Sequence, residues 1–169
     1  TYIDLYAFAS CTNLKSVTIP NSVGLIDDGV FSGCTSLTKI IIPNSVTFIG
    51  EEAFSGCISL TDIDISNSLG VISGYTFNDC RSLKSITIPD SVTSIGDYAF
   101  ENCTELTDVT INGDIEEIGY GVFCHCNKLV KIDYDGTEEQ WQHIDKNPGW
   151  SIKSKIEEIN CIDGTIKLR

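Results

Sequence analysis

The sequence predicts a β-rich solenoid, in which a right-handed ladder of parallel strands with short helical turns is closed by a small α+β cap. Three observations favour this fold class: a 23-residue repeat, a strand-like alternation inside each repeat, and a change of pattern after residue 134. We therefore divide the 169-residue chain into a repeat region, 1–134, whose first repeat is truncated, and a C-terminal capping element, 135–169.

The repeat is defined by residue types that recur every 23 positions without a gap. The clearest columns are Phe8, Phe31, Phe54, Phe77, Phe100 and Phe123; Cys11, Cys34, Cys57, Cys80, Cys103 and Cys126; and Leu14, Leu37, Leu60, Leu83, Leu106 and Leu129. Because one such unit cannot bury its own apolar side chains, a period of this length indicates stacked coils that share one core.

Each repeat contains a short strand, a turn and a compact return segment, as the unit that begins at Leu83 illustrates. Ile86 and Ile88 alternate with polar residues, which is the pattern of a half-buried strand. Pro89 ends this strand because proline cannot donate to a ladder. Residues 97–100 indicate one short helical turn. Successive strands are expected to pair in parallel, and the connections between parallel strands are right-handed.

The unit resembles the BspA-like, treponemal type of leucine-rich repeat, whose pattern is L-x-x-I-x-I-P-x-S-V-x-x-I-G-x-x-A-F-x-x-C-x-x. The match covers about residues 3–134, and its departures lie in turns. Ser66 replaces the proline, Ser73 and Asp27 replace the glycine, and residues 112–114 replace P-x-S. The resemblance implies a leucine-rich-repeat solenoid in an extracellular or cell-surface protein, with adhesion to protein or cell-surface partners as its activity.

After Ile132 the repeat gives way to a segment that predicts a helix. Thr137 and Gln140 form a capping-box signature, so we expect a helix to begin at Glu138. This helix places Trp141 on the same face as the apolar residue three positions later, Ile144.

The last residues predict a hairpin. Residues 156–162 indicate a strand, and Asp163-Gly164 indicates a two-residue turn. The resemblance extends to this end, because the family often closes with a similar G-T-x-x-x-W … C-x-D-G element. We interpret the segment as a cap, since an open solenoid end exposes core and strand edge. A sugar-stacking platform of Trp141 and Trp150 is the alternative.

The first residues show no comparable cap, because Thr1-Tyr2-Ile3 already lies inside a repeat. We expect further repeats to precede it in a parent protein. The alternative is that another molecule covers this end, which would allow end-to-end contact through the uncapped N-terminal repeat.

The cysteine column is interpreted as a set of small, buried, reduced thiols. A disulfide ladder is the alternative, although stacked side chains point in parallel rather than at each other. Cys124 lies outside the column, so we expect it to be more exposed and the most reactive thiol; the sequence leaves the redox state of Cys124 and Cys161 open. The cluster Cys124-His125-Cys126 has too few ligands for zinc.

The sequence predicts no catalytic residues, no metal site and no cofactor. It lacks the common nucleophile, phosphate-binding and zinc-protease motifs, and only His125 and His143 are available as histidine bases. Its formal charge of −13 argues against nucleic acid, and it has no apolar run that would insert directly into a membrane. A calcium site at Asp62 and Asp64, or at 133–135, is a minor alternative.

The outward side of the strands is the candidate binding surface, because solenoids present such faces to partners. Its candidate ligand-binding residues are Lys39, Ile41, Asp62, Asp64, Thr87, Asp108, Thr110 and Asp133. Within it we expect two ordinary cross-strand ion pairs, Lys39 with Asp62 and Asp108 with Lys131.

These observations favour a non-enzymatic binding module that recognises a protein or cell-surface ligand through its strand face. The alternative is a rigid spacer within a larger multidomain protein.

Overall fold

The computed structural model describes residues 1–168, which form fourteen short strands and one helix. The elements are β1 (Tyr2–Ile3), β2 (Leu25–Ile26), β3 (Lys39–Ile41), β4 (Phe48–Ile49), β5 (Asp62–Asp64), β6 (Val71–Ile72), β7 (Ser85–Ile88), β8 (Ser94–Ile95), β9 (Asp108–Ile111), β10 (Glu117–Ile118), β11 (Lys131–Tyr134), α1 (Glu138–His143), β12 (Asp145–Lys146), β13 (Glu158–Cys161) and β14 (Gly164–Lys167). Within residues 1–168, no helix is long and apolar enough to cross a membrane.

The strands stack into two ladders, one of two-residue strands and one of longer strands. Residues 23 positions apart pair in register, as Ile26 does with Ile49 and Ser85 with Asp108. Pairing is parallel except between β13 and β14, which form an antiparallel hairpin. The predicted parallel solenoid is therefore confirmed.

Among the described residues, both ladders are interrupted at the coil of residues 60–82, whose strand β5 pairs only with the preceding coil and whose strand β6 pairs only with the following one. The sheet β1-β2-β4 is separate from β6-β8-β10-β12, and β3-β5 is separate from the sheet that begins at β7. The two serines that depart from the repeat pattern lie here. The Ser66 hydroxyl donates to the Val46 carbonyl at 2.7 Å, and the Ser73 hydroxyl donates to the Ile49 carbonyl at 2.6 Å. Side chains thus supply contacts between this coil and the preceding one, where the short-strand ladder is interrupted.

The core is a continuous stack of aromatic rings along the solenoid axis. From Phe8 to Phe123, neighbouring phenylalanine rings lie nearly parallel, with centroids 5.3–5.6 Å apart. The rings from Phe31 onward are fully buried. Because 23-residue spacing brings identical side chains to the same point of successive coils, the predicted phenylalanine column is confirmed.

The cysteines are free, as the preferred interpretation predicts, and no disulfide links them within residues 1–168. The column is buried from Cys34 onward, but the prediction of burial is wrong for Cys11, which is exposed. From Cys34 onward, the column thiol of each coil donates to the carbonyl of the phenylalanine 26 residues earlier. Cys57, for example, donates to Phe31 at 3.2 Å. The same bond recurs at 3.1–3.3 Å for Cys34, Cys80, Cys103 and Cys126. The column therefore joins neighbouring coils by hydrogen bonds.

The return segments form successive hydrogen-bonded turns where the sequence predicts short helical turns. Their backbone amides bond alternately to the next coil and within their own coil. The Phe100 amide donates to the Val122 carbonyl of the next coil, whereas the Glu101 amide donates to the Tyr98 carbonyl of its own coil. Tyr98 adopts a left-handed conformation with φ 54°. Such a residue cannot continue a right-handed helix, so the predicted helical turn over 97–100 is replaced by turns that bond to the neighbouring coil.

The C-terminal segment completes the solenoid. Helix α1 begins at Glu138 with the capping box of Thr137 and Gln140, as predicted. Trp141 and Trp150 are 3 % and 8 % exposed, so they pack in the core and do not form a sugar-stacking platform. Strands β12 and β13 pair with β10 and β11, which extends both ladders into this segment.

The terminal hairpin differs from the prediction by one residue. Cys161 pairs with Gly164, so the turn residues are Ile162 and Asp163 instead of Asp163-Gly164. The Asp163 carboxylate also accepts a hydrogen bond from the Glu138 amide at 2.8 Å, which ties the turn to the start of α1.

Candidate functional site

The strand face consists of the outward-pointing side chains of β3, β5, β7, β9 and β11. These strands alternate buried and accessible residues, so Asp62 and Asp64 are exposed on either side of the buried Ile63. Register pairing then places equivalent residues of successive coils side by side. The eight predicted residues are thus distributed over a single continuous surface.

A groove of about 920 Å³ crosses this surface where the long-strand ladder is interrupted between β5 and β7. It is lined by residues of four consecutive coils, within the segments 41–44, 62–67 and 85–91 and at Asn112. Four of the predicted residues line it: Ile41, Asp62, Asp64 and Thr87. The structure therefore brings half of the predicted set together.

The groove is acidic. Asp62, Asp64 and Asp90 line it, and no Lys or Arg does so within the described residues. Lys39, at the edge of the surface, forms the predicted ion pair with Asp62 at 2.8 Å, and this hydrogen bond raises the pKa of Lys39. Among residues 1–168, Asp64 and Asp90 have no ion-pair partner. Two carboxylates therefore face the groove without a cation in direct contact.

The second predicted ion pair is wrong. Lys131 contacts Asp133 on its own strand at 3.3 Å, and Asp108 instead accepts a hydrogen bond from the Thr107 hydroxyl at 2.7 Å. Asp133 also accepts from the Asn160 amide at 2.7 Å. Asp133 therefore takes Lys131 as its ion-pair partner at the end of the strand face, and Asp108 forms no ion pair with Lys131.

Two predicted residues lie in a second, smaller depression. Thr110 and Asp133 line a space of about 330 Å³ together with Asn160 of β13, and Asn112 borders both depressions. Lys39 and Asp108 line neither. The strand face is therefore divided into an acidic groove and a small depression beside the C-terminal hairpin.

The sequence-based prediction missed the polar residues at the turn side of the groove. Asn44, Asn67 and Asp90 line it one position after the proline column, and Asn112 lies at a proline-column position. The side-chain oxygen of Asn44 accepts a hydrogen bond from the backbone amide of Asn67 at 3.0 Å, which joins the turns of two neighbouring coils. The signal was present, because these three residues recur at 23-residue spacing with an amide or carboxylate at each position.

Away from the strand face, the structure brings together three potential metal ligands. Glu101, Cys124 and His125 each offer one ligand atom, and these atoms lie within 4.8 Å of one another. Within residues 1–168 this is the one group of three such side chains, so Asp62 and Asp64, or the carboxylates of 133–135, lack a third ligand for the calcium alternative.

The expected exposure of Cys124 is wrong. Its side chain is only 4 % exposed, whereas Cys11 is exposed and Cys161 is intermediate. Burial, followed by the nearby Glu101 carboxylate, raises the pKa of the Cys124 thiol. Residues 145–161 continue the solenoid beyond this position, and Lys153 lies close enough to act on the thiol electrostatically. Cys11 is therefore the most accessible thiol.

The family and two solved structures agree with this architecture. The sequence matches the BspA type leucine-rich repeat region over residues 1–142, in six copies. A leucine-rich cell surface protein from Faecalibacterium prausnitzii is 36 % identical with a TM-score of 0.76, and the match covers 80 % of this chain and 36 % of that one. The leucine-rich repeat protein of T. pallidum is 33 % identical with a TM-score of 0.66, and the match covers 70 % and 58 % of the two chains.

A more distant structure shares the fold alone. The pneumococcal vaccine antigen PcpA is 22 % identical with a TM-score of 0.63, and the match covers 82 % of this chain and 32 % of that one. No curated protein matches the sequence. The matched region spans 36 % of the F. prausnitzii protein and 58 % of the T. pallidum protein. From its repeat, its stacked core and these similarities, the chain belongs to the BspA-type leucine-rich repeat family.

Proposed function

We propose that this chain is a non-enzymatic binding module of an extracellular or cell-surface protein, and that it takes a positively charged segment of a partner protein into the acidic groove. The groove is the observation that carries the proposal: it crosses four coils, and Asp64 and Asp90 face it without ion-pair partners within the described residues. A surface of one sign of charge attracts the opposite charge and accelerates encounter.

The groove offers three kinds of contact to such a segment. Asp64 and Asp90 are acceptors for lysine or arginine side chains, and Asn67 and Asn112 can both donate and accept hydrogen bonds. Ile41, which is 56 % exposed, supplies apolar contact at the edge. Because each coil contributes one or two modest contacts, affinity accumulates along the length of the bound segment.

One similar protein supports a surface location. The F. prausnitzii relative, which is 36 % identical, is described as a cell surface protein. Adhesion to a host, matrix or cell-surface protein is the role that we propose from this likeness and from the groove.

A binding screen tests the proposal. The purified chain is passed over immobilised extracellular-matrix and cell-surface proteins, and any captured partner is retested with Asp64→Asn/Asp90→Asn. We expect roughly tenfold weaker binding in this variant and strong salt dependence in the unmodified chain. The matched control is Glu117→Gln, which removes one exposed charge from the short-strand ladder outside the groove. Equal binding by groove and control variants would exclude the groove.

A rigid spacer is the second candidate, and the continuous phenylalanine stack favours it because such a core resists bending. The two functions differ in one outcome. For a spacer, the screen captures no partner. For a binding module, the screen captures a partner, and filling the groove with Thr87→Arg abolishes its binding.

A further inference from the structure

We propose that Glu101, Cys124 and His125 form a zinc-binding site that joins two neighbouring coils. Glu101 belongs to one coil, and Cys124 and His125 belong to the next. Their ligand atoms lie within 4.8 Å of one another, and the three side chains are buried or half-buried on the return side of the solenoid, away from the strand face.

The repeat places these three residue types together only at this level. Glu101 and Cys124 occupy the same column, in which the earlier coils carry Ser32, Ser55 and Asn78. Because coils stack in register, residues of one column are neighbours, and a carboxylate therefore lies next to a thiol. His125 adds an imidazole in the adjacent column, where glycine stands in two earlier coils.

The donor set suits zinc. Thiolate sulfur, imidazole nitrogen and carboxylate oxygen are its usual ligands, at about 2.3, 2.0 and 2.1 Å. A tetrahedral site with these bond lengths places its ligand atoms roughly 3.5 Å from one another. The three ligand atoms lie within 4.8 Å of one another, so side-chain movements of about 1 Å bring them around the ion. Magnesium and calcium prefer oxygen ligands, and a thiolate–imidazole pair disfavours both. The fourth position is open to water or to a side chain of a partner.

Hydrogen bonds outside the cluster hold the side chain of Glu101 and the backbone of Cys124 in place. The Asn78 side-chain amide donates to a Glu101 carboxylate oxygen at 3.0 Å, and the Ser55 hydroxyl donates to the Asn78 carbonyl oxygen at 3.3 Å. The Asn102 backbone amide donates to the Cys124 carbonyl at 2.8 Å. This is the kind of supporting shell that orients ligands in metal sites.

Zinc at this point also links two coils. The Glu101 carboxylate and the Cys124 thiol belong to neighbouring coils and lie side by side. A divalent cation compensates both the carboxylate and the thiolate, and it cross-links the two coils. Because the ion binds the folded chain, whose two coils bring its ligands together, it stabilises the folded state in proportion to the logarithm of its concentration.

Cobalt and zinc titrations test the site. Cobalt(II) chloride is titrated into Cys11→Ser/Cys161→Ser, which lacks the two more accessible thiols outside the cluster, and the thiolate-to-cobalt charge-transfer absorption is recorded. We expect saturation at one equivalent and loss of the band on addition of zinc chloride.

Cys124→Ser in the same background abolishes the band. Glu101→Gln and His125→Asn weaken cobalt binding more than tenfold, and Asn78→Ala weakens it about tenfold. His143→Asn is the matched control and leaves binding unchanged.

Thermal unfolding supplies a second readout. Zinc chloride raises the melting temperature of the background variant and does not raise that of Cys124→Ser. If Cys124→Ser does not fold, as judged by circular dichroism, Glu101→Gln and His125→Asn decide the question. The proposal is overturned by the absence of a thiolate-to-cobalt band, or by equal cobalt binding in the ligand variants and the His143→Asn control. It is also overturned if zinc raises the melting temperature of the background variant and of the ligand variants equally.

Discussion

Each buried cysteine of the repeat fills a small apolar position and also makes a specific hydrogen bond. The Cys80 thiol donates to the Phe54 carbonyl at 3.3 Å, and its neighbours repeat this contact coil by coil. A serine in its place would keep the donor but add a more polar group to an apolar core, whereas an alanine would leave the carbonyl without its donor. Cysteine therefore combines an apolar side chain of small volume with a weak hydrogen-bond donor, the thiol.

The buried thiols predict alkaline destabilisation. Burial raises the pKa of Cys57 from 9.0 to about 12. Because the folded chain keeps a proton that the unfolded chain loses, the stabilising contribution is complete below about pH 9 and is lost as pH rises towards about 12. For Cys57 the loss is about 4 kcal/mol. Urea unfolding measured from about pH 7 to 11 should show the free energy of unfolding falling steeply above about pH 9.

The control for this prediction is Cys57→Ala. Its stability at neutral pH is lower, but its decline above about pH 9 should be shallower, because one buried thiol no longer contributes. Parallel curves for the variant and the unmodified chain would contradict the assignment.

Two glycines of the short-strand segments provide a matched test of coil spacing. A Cβ added at Gly96 would lie 2.6 Å from the backbone nitrogen of Gly74, whereas nothing lies within 4 Å of a Cβ added at Gly70. We expect Gly96→Ala to lower the free energy of unfolding by about 1–3 kcal/mol, since the coils must separate. Gly70→Ala should be neutral or raise it by up to about 1 kcal/mol. Chemical denaturation measures both, and equal effects would refute the packing argument.

At the scale of secondary-structure elements, Lys146 connects the one helix described within residues 1–168 to the short-strand ladder. Its ammonium group donates to the carbonyls of Trp141 and Ile144 at 2.6 and 2.7 Å and lies 5.5 Å from the Trp141 ring centroid. These are the carbonyls that the end of α1 leaves without helical partners. Burial lowers the pKa of Lys146, yet the two carbonyls and the ring stabilise its charge.

Lys146→Met should therefore destabilise the cap. The substitution keeps an apolar chain of similar length but removes both donors, and we expect a loss of about 1–3 kcal/mol in the free energy of unfolding. Lys155→Met, at an exposed position of the same segment, should change it by less than about 0.5 kcal/mol. Thermal and urea denaturation compare the two variants, and an equal loss in both would remove the special role of Lys146.

The elements that follow strictly from the repeat were the predictable ones. The Phe31–Phe54 stack and the strand register need only a constant 23-residue step, and the helix start at Glu138 needs only its capping residues. The partner of Lys131 was not predictable, because two carboxylates are within its reach and local geometry selects Asp133. The groove depends on the spacing of whole coils, which no single column encodes.

The metal-ligand cluster was predictable in part. Cys124 and His125 are adjacent in sequence, and Glu101 precedes Cys124 by one full repeat, so the column alignment already contains the third ligand. The burial of Cys124 was not apparent, because it depends on how the residues after 134 continue the solenoid and cover this position.

At the scale of the whole molecule, the interruption of both ladders divides the solenoid into two units. The phenylalanine stack continues across it, with Phe54 and Phe77 centroids 5.6 Å apart, and the Phe54 amide still donates to the Thr76 carbonyl. The units are thus coupled by their core and turn segments, but less strongly by their strands. Stability in stacked repeats is a sum of such neighbour contacts.

Hydrogen exchange should reveal this division. We expect amides of residues 1–65 to exchange faster than those of residues 71–168, with a step in protection between β5 and β7, because coupling between repeats is weakest there. Mass-spectrometric peptide mapping measures the step. A smooth gradient along the chain, or uniform protection, would contradict the two-unit description.

End-to-end contact through the first coil stays a prediction. Tyr2 and Leu5 there are 65 % and 51 % exposed, so two copies of this chain can bury them against each other. Light scattering should show mass increasing with concentration, and Leu5→Lys should prevent the increase. Ile162→Lys, at an exposed apolar residue of the C-terminal hairpin, is the control. A constant monomeric mass would contradict the contact.

The unlinked thiol column has a consequence for where such a chain can fold. Many small exported domains need oxidation to become stable, and glutathione in a cytosol would undo their cross-links. Here the sulfur atoms join neighbouring coils as protonated donors, as Cys103 does with Phe77. The repeat region therefore needs no oxidising compartment to fold, and its coils are joined in the same way whether or not the surroundings are reducing.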